Sequence, residues 1–392
     1  MTMRKILVPA VLAILLVSFL SAAAQVPGDV MTIDDERLPG QVTEVLPLGD
    51  GMLVLGATER GEYGWMAFLE PDGGVRWALQ ERGLGAFRCA SLLADGSFSA
   101  LFRRKPIYDD KGNAYGRYGS GIVFVAADGT IQRTVPLAQD TRWLVRSDGG
   151  YYAMGTDYAG DPAAQAKPLL SLLDNTGVTV WSYVYENPDY TSMEFERGAP
   201  AGDGVVLAGG AVTPEGARVV LIQRFDRAGQ GVWGAAAHAL EETRVGDIAI
   251  TAEGLTVGSY AGFSYGEDGF PSEREGYVYC LAPDGNQIWE ILLSGGRQAD
   301  CVLPMPGRYL VGSRGLNLEE DPNLGEGWLS WLDGNGNELE TDVIPDAGGG
   351  ALELMGVTAD GAGKLLLYGV LLEEPGFPSL PFITRVPIPR AR

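Results

Sequence analysis

Two stretches of one segment decide the fold: Asp148-Gly149-Gly150-Tyr151-Tyr152-Ala153-Met154, and Leu169-Leu170-Ser171-Leu172-Leu173-Asp174-Asn175-Thr176-Gly177-Val178-Thr179-Val180-Trp181. Each sets an acid and a glycine between apolar runs of strand length, which is a hairpin signal. The first mark recurs at Gly51, Gly96, Gly149, Gly204, Gly254, Gly307 and Gly361. Five of these follow Asp (Asp50, Asp95, Asp148, Asp203, Asp360), one follows Glu253 and one Pro306. An Asp-Gly pair in a two-residue loop predicts a type I′ turn, with φ > 0 at both central residues. The second mark is an apolar residue, glycine four positions on and often tryptophan eight on. It reads Leu69-Gly73-Trp77, Leu173-Gly177-Trp181, Phe225-Gly229-Trp233 and Leu281-Gly285-Trp289. Val125 with Gly129 and Leu332 with Gly336 keep only the glycine.

Two turns per unit predict four antiparallel strands per unit. The first-mark glycines step by about 52 residues, a length suited to a four-stranded blade. The expected fold is all-β: a seven-bladed β-propeller of four-stranded antiparallel blades. The blades are expected near 42–87, 88–140, 141–192, 193–244, 245–298, 299–350 and 351–392. The seventh unit stops after its third strand, near Phe382 to Val386. Residues 28–34 are expected to supply its fourth strand and to close the ring, leaving only short, protected edges.

Residues 1–24 read as a targeting segment. Arg4 and Lys5 precede an apolar run from Ile6 to Leu20, and Ser21 to Ala24 offer a small-residue cleavage site before Gln25. The expectation is a secreted or extracytoplasmic mature chain of residues 25–392; the alternative is an N-terminal membrane anchor with the propeller facing outside. No other run is long enough to cross a bilayer.

Formal net charge is −22, and losing Arg4 and Lys5 takes it to −24. Such a surface disfavours nucleic acid and anionic membranes. The three cysteines, Cys89, Cys280 and Cys301, are too few for a disulfide framework, leaving buried thiols or a single Cys280–Cys301 bridge. His238 is the only histidine, placed in an apparent outer strand.

Familiar chemical motifs fail. Gly262-Phe263-Ser264-Tyr265-Gly266 matches a nucleophile elbow, but no histidine follows the serine. Asp333-Gly334-Asn335-Gly336-Asn337 opens like a calcium loop, but Glu338 takes the glycine position and Ile344 the bidentate-acid position. No metal or cofactor is expected.

The Asp–Gly–Trp series, as in Asp174-Asn175-Thr176-Gly177 with Trp181 and Asp284-Gly285 with Trp289, resembles the repeats of PQQ-like and WD-repeat β-propellers. The resemblance covers the mature chain. It implies the propeller fold, and a family that spans quinone-dependent dehydrogenases and non-catalytic assembly scaffolds. The enzymes carry adjacent cysteines near the quinone; this chain has none. Its tryptophans recur with the strands, as docking residues would.

Two candidate surfaces follow. Loops near 103–119, 156–168, 259–275, 313–326 and 370–381 break the repeat. They carry Tyr108, Tyr115, Tyr118, Tyr158, Tyr260, Phe263, Tyr265 and Phe270, with acids Asp109, Asp110, Glu267 and Asp268. Aromatic faces beside acids suit sugars or extended peptides; packing within the loops is the alternative. Seven residues before each first-mark glycine stand Glu44, Cys89, Arg142, Arg197, Asp247, Asp300 and Leu354, a largely charged rung expected at the channel mouth. Arg142 and Arg197 would clamp a carboxylate or sulfate, or the rung would be self-compensating.

The function expected is a secreted, non-catalytic binding scaffold: a monomer that holds a protein, peptide or glycan on its long-loop face. The alternative is a channel-mouth hydrolase or lyase for an anionic polymer, with Asp247 or Asp300 as acid or base.

Overall fold

The computed structural model describes residues 29–32, 38–58, 63–81, 84–104, 107–108, 114–115, 119–137, 140–157, 167–237, 242–265, 271–315, 327–344, 351–361, 363–372 and 380–388. Besides one two-stranded pair, these residues form seven antiparallel sheets and no helix. The sheets are the blades of a seven-bladed propeller. Blades 1 to 6 run Gln41–Glu81, Ala86–Leu137, Asp140–Val184, Ser192–Ala237, Glu242–Leu292 and Gln298–Val343. Blade 7 has Ala351–Ala359, Lys364–Leu372 and Leu380–Pro387, and Asp29–Thr32 pairs with the last of these.

Seven apolar clusters lie between the blades, and the last joins blade 7 (Leu366, Ile383) to blade 1 (Val42, Val54, Trp65). Each sheet is therefore covered on both faces. Successive residues of a strand face opposite neighbours: Leu365 and Leu367 pack toward blade 6, Leu366 toward blade 1. Middle strands such as Gly64–Leu69 are buried at every residue and read as continuous apolar runs.

The second mark makes one turn six times. In each, an N–H donates four residues on, as from Asp174 to Val178 O at 2.8 Å, and the glycine closes a tighter bond, as from Gly177 to Asp174 O at 2.9 Å. The glycine is left-handed, φ 83° at Gly177, and a bulge follows in the pairing. The Asp of the mark accepts the N–H two residues on, as at Asp174–Thr176 and Asp333–Asn335.

Those glycines also seat the tryptophans. The Nε1–H of Trp77, Trp181, Trp233 and Trp289 donates to Ala127, Arg227, Pro283 and Gly334 O in the turn of the next blade, at 2.9–3.2 Å. A Cβ at Gly285 would stand 2.7 Å from the Trp233 ring, so glycine is required there twice over, by φ and by contact.

Several expectations are corrected. No first-mark turn is type I′: Cys89 is the only non-glycine with positive φ among the described residues, so Asp50, Asp148 and Asp203 do not adopt the conformation that type needs. Pro306–Gly307 is type II in character and Gly202–Asp203 type II′. The innermost strand of blade 4 is broken into Ser192–Met193 and Arg197–Ala201. The expected loop at 259–275 is largely hairpin, with strands Thr256–Tyr265 and Pro271–Leu281. A small strand pair, Ile107–Tyr108 with Ala114–Tyr115, lies within 103–119. No Cys280–Cys301 bridge forms, because Cys280 packs between blades 5 and 6 and Cys301 between blades 6 and 7, on opposite faces of one sheet. His238 lies outside the described residues, as do residues 1–24.

Candidate channel site

Bulges decide where the charged rung goes. Six of the seven innermost strands slip register near the same level, skipping Thr43, Cys89 and Ala90, Arg142, Gly246, Asp300 and Met355. The skipped residue is not at a constant distance from the turn. Counting back seven positions therefore lands on paired residues in some blades and bulged ones in others.

Glu44, Arg197 and Asp247 do come together, joined by Arg88. Burial raises the pKa of Glu44 on blade 1 and Asp247 on blade 5 adds to it; burial lowers that of Arg88 on blade 2 and Arg197 on blade 4 adds to it. These blades are not adjacent, so the charges act on one another across the central channel. Burial is the main force on both carboxyls. It pushes Glu44 up to about 7, against the Ala90 and Cys89 N–H groups and Arg88. It pushes Asp247 up to about 6, against Arg197 and the Ile248 and Val302 N–H groups. Burial likewise lifts the Cys89 thiol to about 12.

Most of this polar chemistry is spent on the backbone of the next blade. Glu44 Oε2 accepts the Ala90 N–H at 2.9 Å, Cys89 Sγ that of Leu144 at 3.4 Å, and Asp247 Oδ2 that of Val302 at 3.4 Å. Arg197 Nε donates to Gly246 O at 3.0 Å, its guanidinium stacked 4.5 Å from the Trp143 ring centroid. Bulges free backbone groups, and the rung side chains of the preceding blade satisfy them.

Arg142 and Asp300, both bulge residues, are engaged elsewhere. Arg142 pairs with Glu194 and lies 3.7 Å from Asp140, which Arg103 grips bidentately at 2.6 and 2.7 Å. Asp300 accepts from Gln298 at 2.6 Å and faces Arg314 at 3.6 Å. The two arginines do not form the expected clamp.

Sequence reasoning missed Arg88, and also Tyr279 and Tyr368, whose hydroxyl pKa values are raised by burial and then by the rung carboxyls, Asp247 for Tyr279 and Glu44 and Asp247 for Tyr368. Arg88 stands one place before the rung. The tyrosines had a signal: each faces a strand glycine, Gly258 or Gly356, where a Cβ would lie 2.2 Å from the hydroxyl.

The loop aromatics divide. Tyr260 is fully buried between blades 4 and 5, stacked on Tyr277 at 4.8 Å, with its hydroxyl 2.7 Å from Glu290. It cannot bind a surface ligand. Tyr265 is exposed at the end of its strand and donates to Glu242. Tyr115 falls on a short strand. Tyr118, Tyr158 and Phe270 lie outside the described residues.

No family model and no curated protein matches the chain. Solved β-propellers do. A polysaccharide lyase of family PL25, ulvan lyase, is 10% identical with a TM-score of 0.56 over 92% of this chain and 94% of that one. BBS1N, solved in complex with ARL6, is 9% identical with a TM-score of 0.50 over 94% and 99%. BamB from Moraxella catarrhalis is 14% identical with a TM-score of 0.47 over 92% and 99%. At such identities the likeness is one of fold alone.

Proposed function

We propose that this protein is a non-catalytic β-propeller scaffold that binds a protein, peptide or glycan on its exposed loop face and outer rim. One contrast carries the reading. Glu44, Arg197 and Asp247 are committed to inter-blade bonds, whereas apolar side chains stand exposed on the outer strands. The residue before each docking position is Val180, Val232, Ile288 and Leu339 in blades 3 to 6, exposed by 61, 53, 51 and 61%. These four residues, on successive blades, give the rim apolar contact points for a partner. BBS1N in complex with ARL6 is a precedent for a propeller with a protein partner. Export, expected from residues 1–24, fits an extracytoplasmic partner. Peptide and glycan arrays probed with residues 25–392 test the reading: saturable capture of one ligand class supports it, and no capture above an unrelated acidic protein rejects it.

A second reading draws on the channel. Two carboxyls held toward neutrality by burial, beside Arg88 and Arg197, provide an acid or base and an anion site for a polymer. The PL25 neighbour lends it a precedent of fold. New chain ends released from sulfated or uronate polysaccharides by the wild type, and not by Asp247→Asn, would establish it over the scaffold reading.

A further inference from the structure

The outer strand of blade 3, Thr179–Val184, stands apart from the other outer strands. It is the terminal strand of its sheet, and five of its six residues are exposed. It contains no charge, proline or glycine. The other outer strands carry guards: Arg76 and Glu81 in blade 1, Arg133 and Pro136 in blade 2, Glu290 in blade 5, and Glu338, Glu340 and Asp342 in blade 6. Blade 4 has Gly231 and Gly234, which weaken pairing. Natural sheets blunt free edges with such residues, because an unguarded edge pairs with any extended chain.

The geometry of this edge suits pairing. Tyr185 N–H donates inward to Pro168 O at 2.9 Å. Antiparallel pairs alternate, so the backbone groups of Tyr183 and Trp181 also point inward, while those of Ser182 and Val184 point outward. The strand is rigidly seated: Trp181 stacks on Tyr183 with centroids 5.0 Å apart, and both rings lie against the Gly229 turn of blade 4. Val180 and Val184 present β-branched side chains beside the open backbone groups.

Charge selects the occupant. A second copy of residues 25–392 would bring −24 against −24. Exposed Asp189 follows the strand, as does Glu186, which pairs with Lys167. A cationic chain is attracted where another copy is repelled. Building on the scaffold reading, we infer that the outer strand of blade 3 is a docking edge that takes an extended, basic segment of a partner protein as a fifth strand. Main-chain bonds hold the segment, and its basic side chains answer the acidic surface.

The test uses residues 25–392 and a labelled peptide of alternating valine and lysine. The wild type binds it saturably. Val184→Pro removes an outward N–H and leaves the inward bonds of Tyr183 and Tyr185; Val180→Lys places a guard on the edge. Each weakens binding by about tenfold or more, and Ala236→Lys on the outer strand of blade 4 leaves it unchanged. Methylating alternate backbone nitrogens of the peptide weakens binding by a similar factor in one of the two registers. A valine–glutamate peptide binds at least about tenfold more weakly.

Four results overturn the inference. The first is an unmethylated peptide that fails to bind, or methylated peptides of both registers that bind as tightly as the parent. The second is Val184→Pro and Val180→Lys retaining wild-type affinity with unchanged circular dichroism. The third is equal binding of the acidic peptide. The fourth is a concentration-dependent dimer in sedimentation that Val184→Pro abolishes, which assigns the edge to a second copy. Array capture of another ligand, insensitive to both variants, would reject this edge and leave the scaffold reading standing.

Discussion

The innermost and outermost strands use their polar groups in opposite ways. On the inside, bulges release backbone groups into an enclosed channel, and Glu44, Cys89, Arg197 and Asp247 turn aside to satisfy them. On the outside, turns are regular and four tryptophan indoles fasten blades 1, 3, 4 and 5 to the blade that follows each. An unmet polar group costs little at the rim, where water reaches it, and much in the channel. Polar residues are thus consumed at the centre, and apolar residues are left free at the edge.

The largest expected effect strikes the outer fastening. Gly285→Val adds a Cβ 2.7 Å from the Trp233 ring at a left-handed φ of 89°, so it should cost about 3 kcal/mol or more. Trp233→Ala should lose about 2–3 kcal/mol by removing the partly buried ring and its bond to Pro283 O. Thermal unfolding measures both, and a shift under about 1 kcal/mol for either would show that the rim does not depend on this docking.

The channel should answer to pH. The Glu44 pKa is raised in the folded state from 4.5 to about 7, so its neutral form is favoured there. Its contribution is fully present below pH 4.5 and is lost as pH rises to about 7. Asp247 acts in the same sense from 3.8 to about 6. Glu44→Gln should flatten the stability profile across this window by about 2 kcal/mol. A wild-type profile that rises from pH 4.5 to 7, with Glu44→Gln parallel to it, would mean that the carboxyl is not enclosed as described.

Arg197→Ala and Arg142→Ala sharpen the division within the channel. The first strips Gly246 O of its donor and Asp247 of its neighbouring cation, and should cost about 1–2 kcal/mol. The second breaks a half-exposed pair and should cost under about 1 kcal/mol. Equal losses in urea unfolding would erase the distinction between paired and bulged rung positions. The smallest effect belongs to the rim: Ile288→Thr should change stability by no more than about 0.5 kcal/mol.

Much of the architecture was legible because its signals are local. A left-handed glycine such as Gly177, the Asp that caps its turn, and Trp181 four residues on act within one hairpin and its neighbour. The candidate site was less legible. By sequence Tyr260 reads as a loop aromatic, because hairpin length cannot be read from apolar content; in the fold its strand runs on and buries it. Arg142 and Arg197 hold the same count from their turns yet part company, because Arg142 is a bulge residue and Arg197 is paired with Ala208.

What the sequence by itself determined was the repeating unit, its two turns, its number of copies and the tryptophan fastening, since each rests on residues a few positions apart. Only the tertiary structure decided which charges share the channel and how far each outer strand is exposed. Both depend on how bulges shift register and how seven sheets meet in a ring. Those are long-range packing outcomes, and no spacing along the chain records them.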